Sequence, residues 1–142
     1  MKTVKRSKQV AYETTQMFDL VNDINSYPEF LNWCQGSQIQ SSTKNEVIAS
    51  LEVGYGGFSK RFTTRNLLSR PHKIDMRLVD GPFISLAGGW HFLEQESGCI
   101  VEIQLDFEVS RGPMDSLFGI FFEEIVSSQV EAFGKRANYL YG

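Results

Sequence analysis

From Gly36 to Val109 the apolar residues recur at every second position, and after Gly112-Pro113 they recur with a period of 3.6 to the end of the chain. That switch constrains the fold more than any other feature. Val47, Ala49, Leu51, Val53 and Tyr55 share one face of a strand. Gly54, Gly56 and Gly57 supply a turn, and Phe58, Phe62 and Thr64 share a face of the next strand. Arg70-Pro71-His72 marks another turn, followed by Ile74, Met76 and Leu78 on one face. After Gly81-Pro82 come Leu86, Gly88, Trp90 and Phe92, then a turn at Ser97-Gly98. Val101, Ile103, Leu105, Phe107 and Val109 then alternate with Glu102, Gln104, Asp106 and Glu108. This is the pattern of an antiparallel sheet with one dry and one wet face.

The helical segment carries a broad apolar stripe: Met114, Leu117, Phe118, Phe121, Phe122, Ile125, Val126, Val130, Phe133, Ala137 and Leu140. Asp115, Glu123, Glu124, Ser127, Ser128, Glu131 and Lys135 take the other side. Pro113 suits a first helical position, where its missing N–H costs nothing. At 1.5 Å per residue, Pro113–Leu140 spans about 40 Å, enough to cross a sheet diagonally. Gly119 reads as a kink or ligand-contact position. Upstream, Thr3–Val10 mixes β-branched residues with Lys5, Arg6 and Lys8 and reads as an edge strand. If it lies beside the last strand, Lys5 or Lys8 pairs with the acids there. Thr14 is placed to cap a short helix whose stripe is Met17, Phe18, Leu20, Val21 and Ile24. That helix is expected to end near Ser26-Tyr27-Pro28. The order is strand, short helices, about six antiparallel strands and one long helix. The fold class is α+β, a curved antiparallel sheet of six to seven strands wrapped around the C-terminal helix.

With 142 residues the chain fits one domain, 1–142, large enough to build its own core. Aromatic residues make up 13% (11 Phe, 5 Tyr, 2 Trp), which means either a dense core or a cavity walled by rings. The rings come from three separate elements, which favours the cavity. The net charge of −3 excludes a generic polyanion binder, DNA included. It conceals an asymmetry: Met1–Lys73 holds ten Lys/Arg against six Asp/Glu, and Ile74–Gly142 four against eleven. Cys34 and Cys99 read as reduced thiols. No apolar run approaches the ~20 residues of a membrane span, and Met1-Lys2-Thr3-Val4 enters structured sequence at once. The expectation is a soluble cytoplasmic protein without a transit peptide.

Tyr27-Pro28-Glu29-Phe30-Leu31-Asn32-Trp33-Cys34 resembles the Tyr-Pro-x-Phe-Leu-Pro-Trp-Cys segment of the coenzyme Q-binding family in the START-like, polyketide cyclase-like superfamily. That family takes in mitochondrial coenzyme Q-binding proteins and bacterial RatA-type ribosome association toxins. Gly81-Pro82-Phe83 with Leu86, Gly88, Trp90 and Phe92 is similar to its second signature. Ala132-Phe133, Arg136-Ala137 and Leu140-Tyr141-Gly142 are similar to its third. Asn32 departs from the pattern, standing where the family usually has proline. The resemblance implies a helix-grip fold with an elongated apolar tunnel between sheet and helix. The function expected from it is binding a polyprenyl quinone or similar lipid as a carrier in support of respiration, with binding the large ribosomal subunit and blocking subunit association as the alternative. The chain length is closer to the bacterial branch.

The candidate ligand-binding residues are Phe30, Leu31 and Trp33 from the loop, Phe62, Met76, Leu86, Trp90 and Phe92 from the sheet, and Phe118, Phe121 and Phe122 from the helix. For any one of them the plain alternative is ordinary core. Each buried CH₂ is worth ~0.8 kcal/mol, so a five-carbon prenyl unit gains roughly 3–4 kcal/mol over water. Against a bilayer the transfer is close to neutral, which suits a carrier in transient contact with a membrane. For a ribosomal partner the candidate rRNA contacts are Lys60, Arg61, Arg65 and Arg70 in the basic half. No catalytic residue, metal site or covalent cofactor is expected. His72 sits in a turn, His91 faces away from Trp90, and neither stands near a cysteine in the sequence. START-like relatives include cyclases, so the enzyme reading turns on whether an acid or base points into the tunnel.

Overall fold

The computed structural model describes residues 1–55 and 57–142, without the side chains of Tyr55 and Phe58. Of the expected features, Gly56 in the first turn and the inward placement of Tyr55 and Phe58 lie outside the described residues. The elements run β1 (Lys2–Val10), α1 (Thr14–Asn22), a 3₁₀ turn (Ile24–Ser26), α2 (Tyr27–Phe30), β2 (Cys34–Ser42), β3 (Glu46–Tyr55), β4 (Phe58–Ser69), β5 (Lys73–Asp80), β6 (Phe83–Gln95), β7 (Gly98–Val109) and α3 (Asp115–Tyr141). Seven strands form one sheet in the order β1-β7-β6-β5-β4-β3-β2, every neighbouring pair antiparallel. The fold is the helix-grip arrangement that the resemblance implies.

The last strand behaves as its alternation requires. Val101, Ile103, Leu105 and Phe107 are buried, while Glu102, Gln104, Asp106 and Glu108 stay partly exposed on the opposite face. β1 lies along β7 as the edge strand, pairing Lys2 with Phe107 and Val10 with Cys99. Lys5 then reaches Glu102 (3.9 Å), whereas Lys8 turns to Glu131 of α3 (3.2 Å). Gly88 and Gly89 of β6 carry positive φ angles of 137° and 153°. A Cβ at either would come within 2.1 Å and 1.9 Å of a carbonyl oxygen on the neighbouring strand. Only glycine fits both the backbone angles and the close approach of the neighbouring strands there.

Several local expectations change. The helix cap is Glu13 rather than Thr14: the Glu13 N–H donates to Gln16 Oε1 (2.9 Å), and Thr14 is buried as the first helical residue. Pro28 does not end a helix. α1 stops at Asn22, and Pro28 sits in the first turn of α2, where a missing N–H is harmless. Pro113 likewise precedes the helix instead of starting it. Met114 adopts a left-handed φ of 71°, and α3 begins at Asp115. Asp115, expected on the wet side, is buried because its Oδ2 accepts the Gly112 N–H (2.9 Å) and its Oδ1 lies 3.7 Å from Lys60 Nζ.

Met114, Leu117 and Leu140 of the expected stripe remain exposed. Met114 precedes α3, and Leu117 and Leu140 stand in its first and last turns. Gly119 contacts no ligand space; it lets the helix approach Val109, whose methyls would lie 3.2 Å from an added Cβ. No helix among the described residues is long and apolar enough to cross a membrane.

Candidate functional site

Between α3 and the concave face of the sheet lies an apolar cavity of about 70 Å³. Its floor comes from β3 (Ala49, Leu51), β4 (Phe62, Thr64, Asn66), β5 (Ile74, Met76), β6 (Trp90) and β7 (Ile103, Leu105). Phe122, Ile125, Val126, Gln129 and Phe133 of α3 form the roof. Val21, Asn22, Ile24, Tyr27 and Trp33 close the side. Of the residues singled out from sequence, Trp33, Phe62, Met76, Trp90 and Phe122 line this space. Phe30, Leu31 and Phe121, again with Trp33, line a separate surface groove of about 940 Å³ between the α2–β2 connection and the outer side of α3.

Leu86, Phe92 and Phe118 reach neither space. They are 4%, 0% and 1% exposed and belong to the packed core. Phe92 meets the Phe18 edge at 5.7 Å beneath α1, and Phe118 packs between Phe83 (5.5 Å) and Phe122 (5.8 Å). The elongated tunnel is therefore shorter than expected, because rings fill the end nearest the start of α3.

The lining also holds polar groups that the apolar pattern did not reveal. The Thr64 hydroxyl donates to Asn66 Oδ1 (2.9 Å), and Gln129 Nε2–H donates to the Ile125 carbonyl (2.8 Å). All three side chains are at least nine-tenths buried. The signal was present: Asn66 shares strand parity with Phe62 and Thr64, and Gln129 stands four residues from both Ile125 and Phe133. The Tyr27 hydroxyl donates to the Val21 carbonyl, and burial pushes its ionisation well above the usual phenol range, helped by Cys34 and Asp23. Asn22 Oδ1 and Trp33 Nε1 are buried without a partner. An orphaned polar atom of this kind costs about 1–3 kcal/mol. No carboxylate, imidazole, ammonium or guanidinium lines the cavity among the described residues.

At the groove, Arg136 lies over the Phe30 ring (4.8 Å) and the Tyr139 ring (5.2 Å), with Glu29 3.6 Å away. Its Nε is buried and unpartnered. Cys34 and Cys99 are free and buried, and burial raises both thiols. No cluster of three His, Cys, Asp or Glu that could hold a metal occurs among the described residues. His72 pairs with Glu94 (3.2 Å) at the surface.

The four basic candidates do not form one patch. Arg61 and Arg65 point from the convex face, as their parity requires. Arg61 donates to Gln38 (3.1 Å), and Arg65 lies 3.6 Å from Glu46. Arg77, opposite Arg65 on β5, extends this row and pairs with Asp75 (3.1 Å). Lys60 has the opposite parity and turns toward Asp115. Arg70 is clamped to Asp19 through two N–H donors, each at 2.8 Å, which raises its own pKa.

Comparison with known proteins places this geometry. A family profile described as polyketide cyclase/dehydrase and lipid transport matches residues 10–134. The chain belongs to that START-like family. Within it, the chain is 46% identical to a Vibrio cholerae protein named ribosome association toxin RatA, over 100% of this chain and 99% of the relative. It is 31% identical to a mitochondrial coenzyme Q-binding protein homolog B of Xenopus laevis, over 96% of this chain and 58% of that one. Among solved START-like folds, the Zhui aromatase/cyclase of Streptomyces superposes with a TM-score of 0.84 at 15% identity, covering 96% of this chain and 93% of the cyclase. That last likeness carries the fold alone.

Proposed function

We propose that this chain is a cytoplasmic ribosome association factor that binds the large ribosomal subunit and keeps the subunits apart. The observation that carries this reading is whole-length similarity to a protein named for ribosome association, closer than to the coenzyme Q-binding relative. The surface that fits an rRNA backbone is the convex row Arg61, Arg65 and Arg77. The Arg65 and Arg77 side chains are exposed and each has one single-contact acidic partner, Glu46 and Asp75, and such surface pairs are worth only about 0–1 kcal/mol, so phosphates compete with them. Lys60 turns to the buried Asp115 and Arg70 is held to Asp19 by two N–H donors, so both contribute less. Binding requires no chemistry at the protein. A cavity lined by apolar side chains, amides and a hydroxyl supports a non-catalytic role.

Sucrose-gradient profiles after overexpression test the proposal. Free subunits are expected to accumulate at the expense of 70S particles, and R61A/R65A/R77A is expected to restore the 70S peak. The triple variant should also flatten the salt dependence of subunit binding by about 2–3 in the log–log slope. An unchanged ratio of free subunits to 70S on overexpression overturns the reading.

The apolar cavity supports a second reading, binding of a polyprenyl quinone or similar lipid exchanged through transient contact with a membrane. A cavity of about 150 Å³ is known to hold benzene. This one is about half that size, so a prenyl tail enters only if α3 and the sheet part. Mass spectrometry of an organic extract of the purified protein tests this reading. Absence of any co-purified lipid, together with no quenching of tryptophan by added quinone, overturns it.

A further inference from the structure

The buried amides of the cavity lining present opposite hydrogen-bonding ends. A backbone carbonyl only accepts, so Gln129 must bond the Ile125 carbonyl through Nε2–H. Its own carbonyl oxygen, Oε1, is the end left without a protein partner. Asn66 is occupied the other way round. Its Oδ1 accepts the Thr64 hydroxyl, so its free end is the Nδ2 donor.

Both free ends reach the space under α3. The Gln129 and Asn66 side chains are 5% and 7% exposed, and they line the cavity from the helix and from β4. Asn22 Oδ1, on the same lining, is sealed by packing and offers a ligand nothing. Gln129 Oε1 and Asn66 Nδ2 are not sealed in this way, and the open space these buried side chains border is the cavity. The site thus offers an acceptor from its roof and a donor from its floor, in apolar surroundings.

That pair discriminates between head groups. A ketone or quinone oxygen only accepts. It satisfies Asn66 and leaves Gln129 Oε1 cut off from water with no donor, the costly case for a buried polar atom. A hydroxyl both donates and accepts, so a quinol, phenol or alcohol satisfies both ends. A carboxylate or an ammonium finds no opposite charge among the described lining residues.

We infer that the space under α3 selects an apolar ligand by a hydroxyl on its head, bonded to Gln129 Oε1 and Asn66 Nδ2, and so prefers a quinol to its quinone. This rests on the second reading above, that the cavity takes an apolar ligand, and adds which end is held and in which oxidation state. The space is only partly enclosed, so the tail extends out of it.

Anaerobic isothermal titration calorimetry of the full chain with decylbenzoquinol and decylbenzoquinone tests the selection. Any parting of α3 from the sheet is common to the two probes and cancels in their ratio. Wild type is expected to bind the quinol about tenfold tighter, reflecting one unpaired buried acceptor in the quinone complex. Gln129→Met keeps the length and the helix propensity but removes the acceptor. Its quinol-to-quinone ratio is expected to fall to within about twofold of one, whereas a purely structural role would move both affinities together. Asn66→Leu removes the donor that serves both forms, and is expected to weaken both about fivefold with the ratio kept. A wild-type ratio within about twofold of one, or a ratio that Gln129→Met leaves unchanged, overturns the selection and leaves the cavity reading standing. Failure of wild type to bind either probe overturns both.

A second probe pair needs no variant and covers the case in which Gln129→Met does not fold. 2-Undecanol and 2-undecanone share one skeleton and differ by a hydroxyl or a carbonyl. The alcohol is expected to bind wild type about tenfold tighter. Equal binding of the two overturns the selection.

Discussion

The interface between α3 and the sheet has a solid end and a hollow end. At the solid end Phe62, Phe83, Phe107, Phe118 and Phe122 interlock, with ring centroids 4.9–6.3 Å apart and mostly edge-to-face. At the hollow end, one to three turns further along α3, Thr64, Asn66, Gln129 and Trp33 surround open space. Phe62 and Phe122 belong to both and form the partition. Both ends use the same helix and the same sheet, so architecture does not decide which is filled. The inward residues of β4 do: Phe62 faces the rings, and two positions later Thr64 and Asn66 hydrogen-bond each other instead of reaching across. A short polar pair cannot fill the volume that a phenyl ring would, and its dipoles keep the space from being equivalent to oil.

The largest effect should come at the solid end. Phe118→Ala is expected to cost about 3–5 kcal/mol, because interlocked rings cannot collapse into the void. Urea unfolding monitored by circular dichroism measures it, and a cost below about 1 kcal/mol would show this end to be as loosely packed as the other. At the hollow end the expected result is an asymmetry. Thr64→Val removes one partner of a buried pair and should cost about 1–3 kcal/mol by orphaning Asn66 Oδ1. T64V/N66L removes both and should recover most of that loss. If the double variant is as unstable as the single, the pair is not what sets the packing here.

The smallest effect concerns Tyr27 on the cavity's side wall. Its phenol ionises far above the usual value near 10, chiefly because it is buried. The unfolded chain therefore releases this proton first as pH rises, the folded state then holds more protons, and stability falls above about pH 10. Tyr27→Phe should cost about 1 kcal/mol at pH 7 through the lost bond to Val21 and should flatten the decline at high pH. Paired urea titrations at pH 7 and pH 10.5 check the sign; an undiminished decline in the variant assigns it to other groups.

Most of the architecture was legible because each strand from β3 to β7 buries one face, and burial writes period two into the sequence. β2 (CQGSQIQSS) was the least legible strand, falling in the period-two region from Gly36 without a face that the sequence could name. It is an edge with two register shifts and little to bury, so it leaves almost no hydrophobic signal. The ends of α3 were misjudged for a related reason: apolar residues left exposed at a helix's ends look the same in sequence as those buried along its middle. The site was half legible. Five of the eleven candidates wall the cavity, Trp33 of the segment Tyr27–Cys34 among them. Leu86, Phe92 and Phe118 share the periodicity of the lining, and only packing distinguishes a ring that fills space from one that borders it. The basic cluster was overcounted, because sequence proximity of Lys60 and Arg61 conceals that adjacent strand residues face opposite ways.

The pairing of β1 with β7 has a consequence for how the molecule is made. Lys2 meets Phe107 and Val10 meets Cys99, so β1 must wait for nearly a hundred further residues to be made before it finds its neighbour. Such distant contacts slow folding and leave an unpaired strand open to self-association meanwhile. Lys2, Lys5, Arg6 and Lys8 give that waiting strand four positive charges in nine residues. Mutual repulsion between nascent copies then guards the newborn chain until its partner strand arrives, and the same charges guard the finished sheet at its edge.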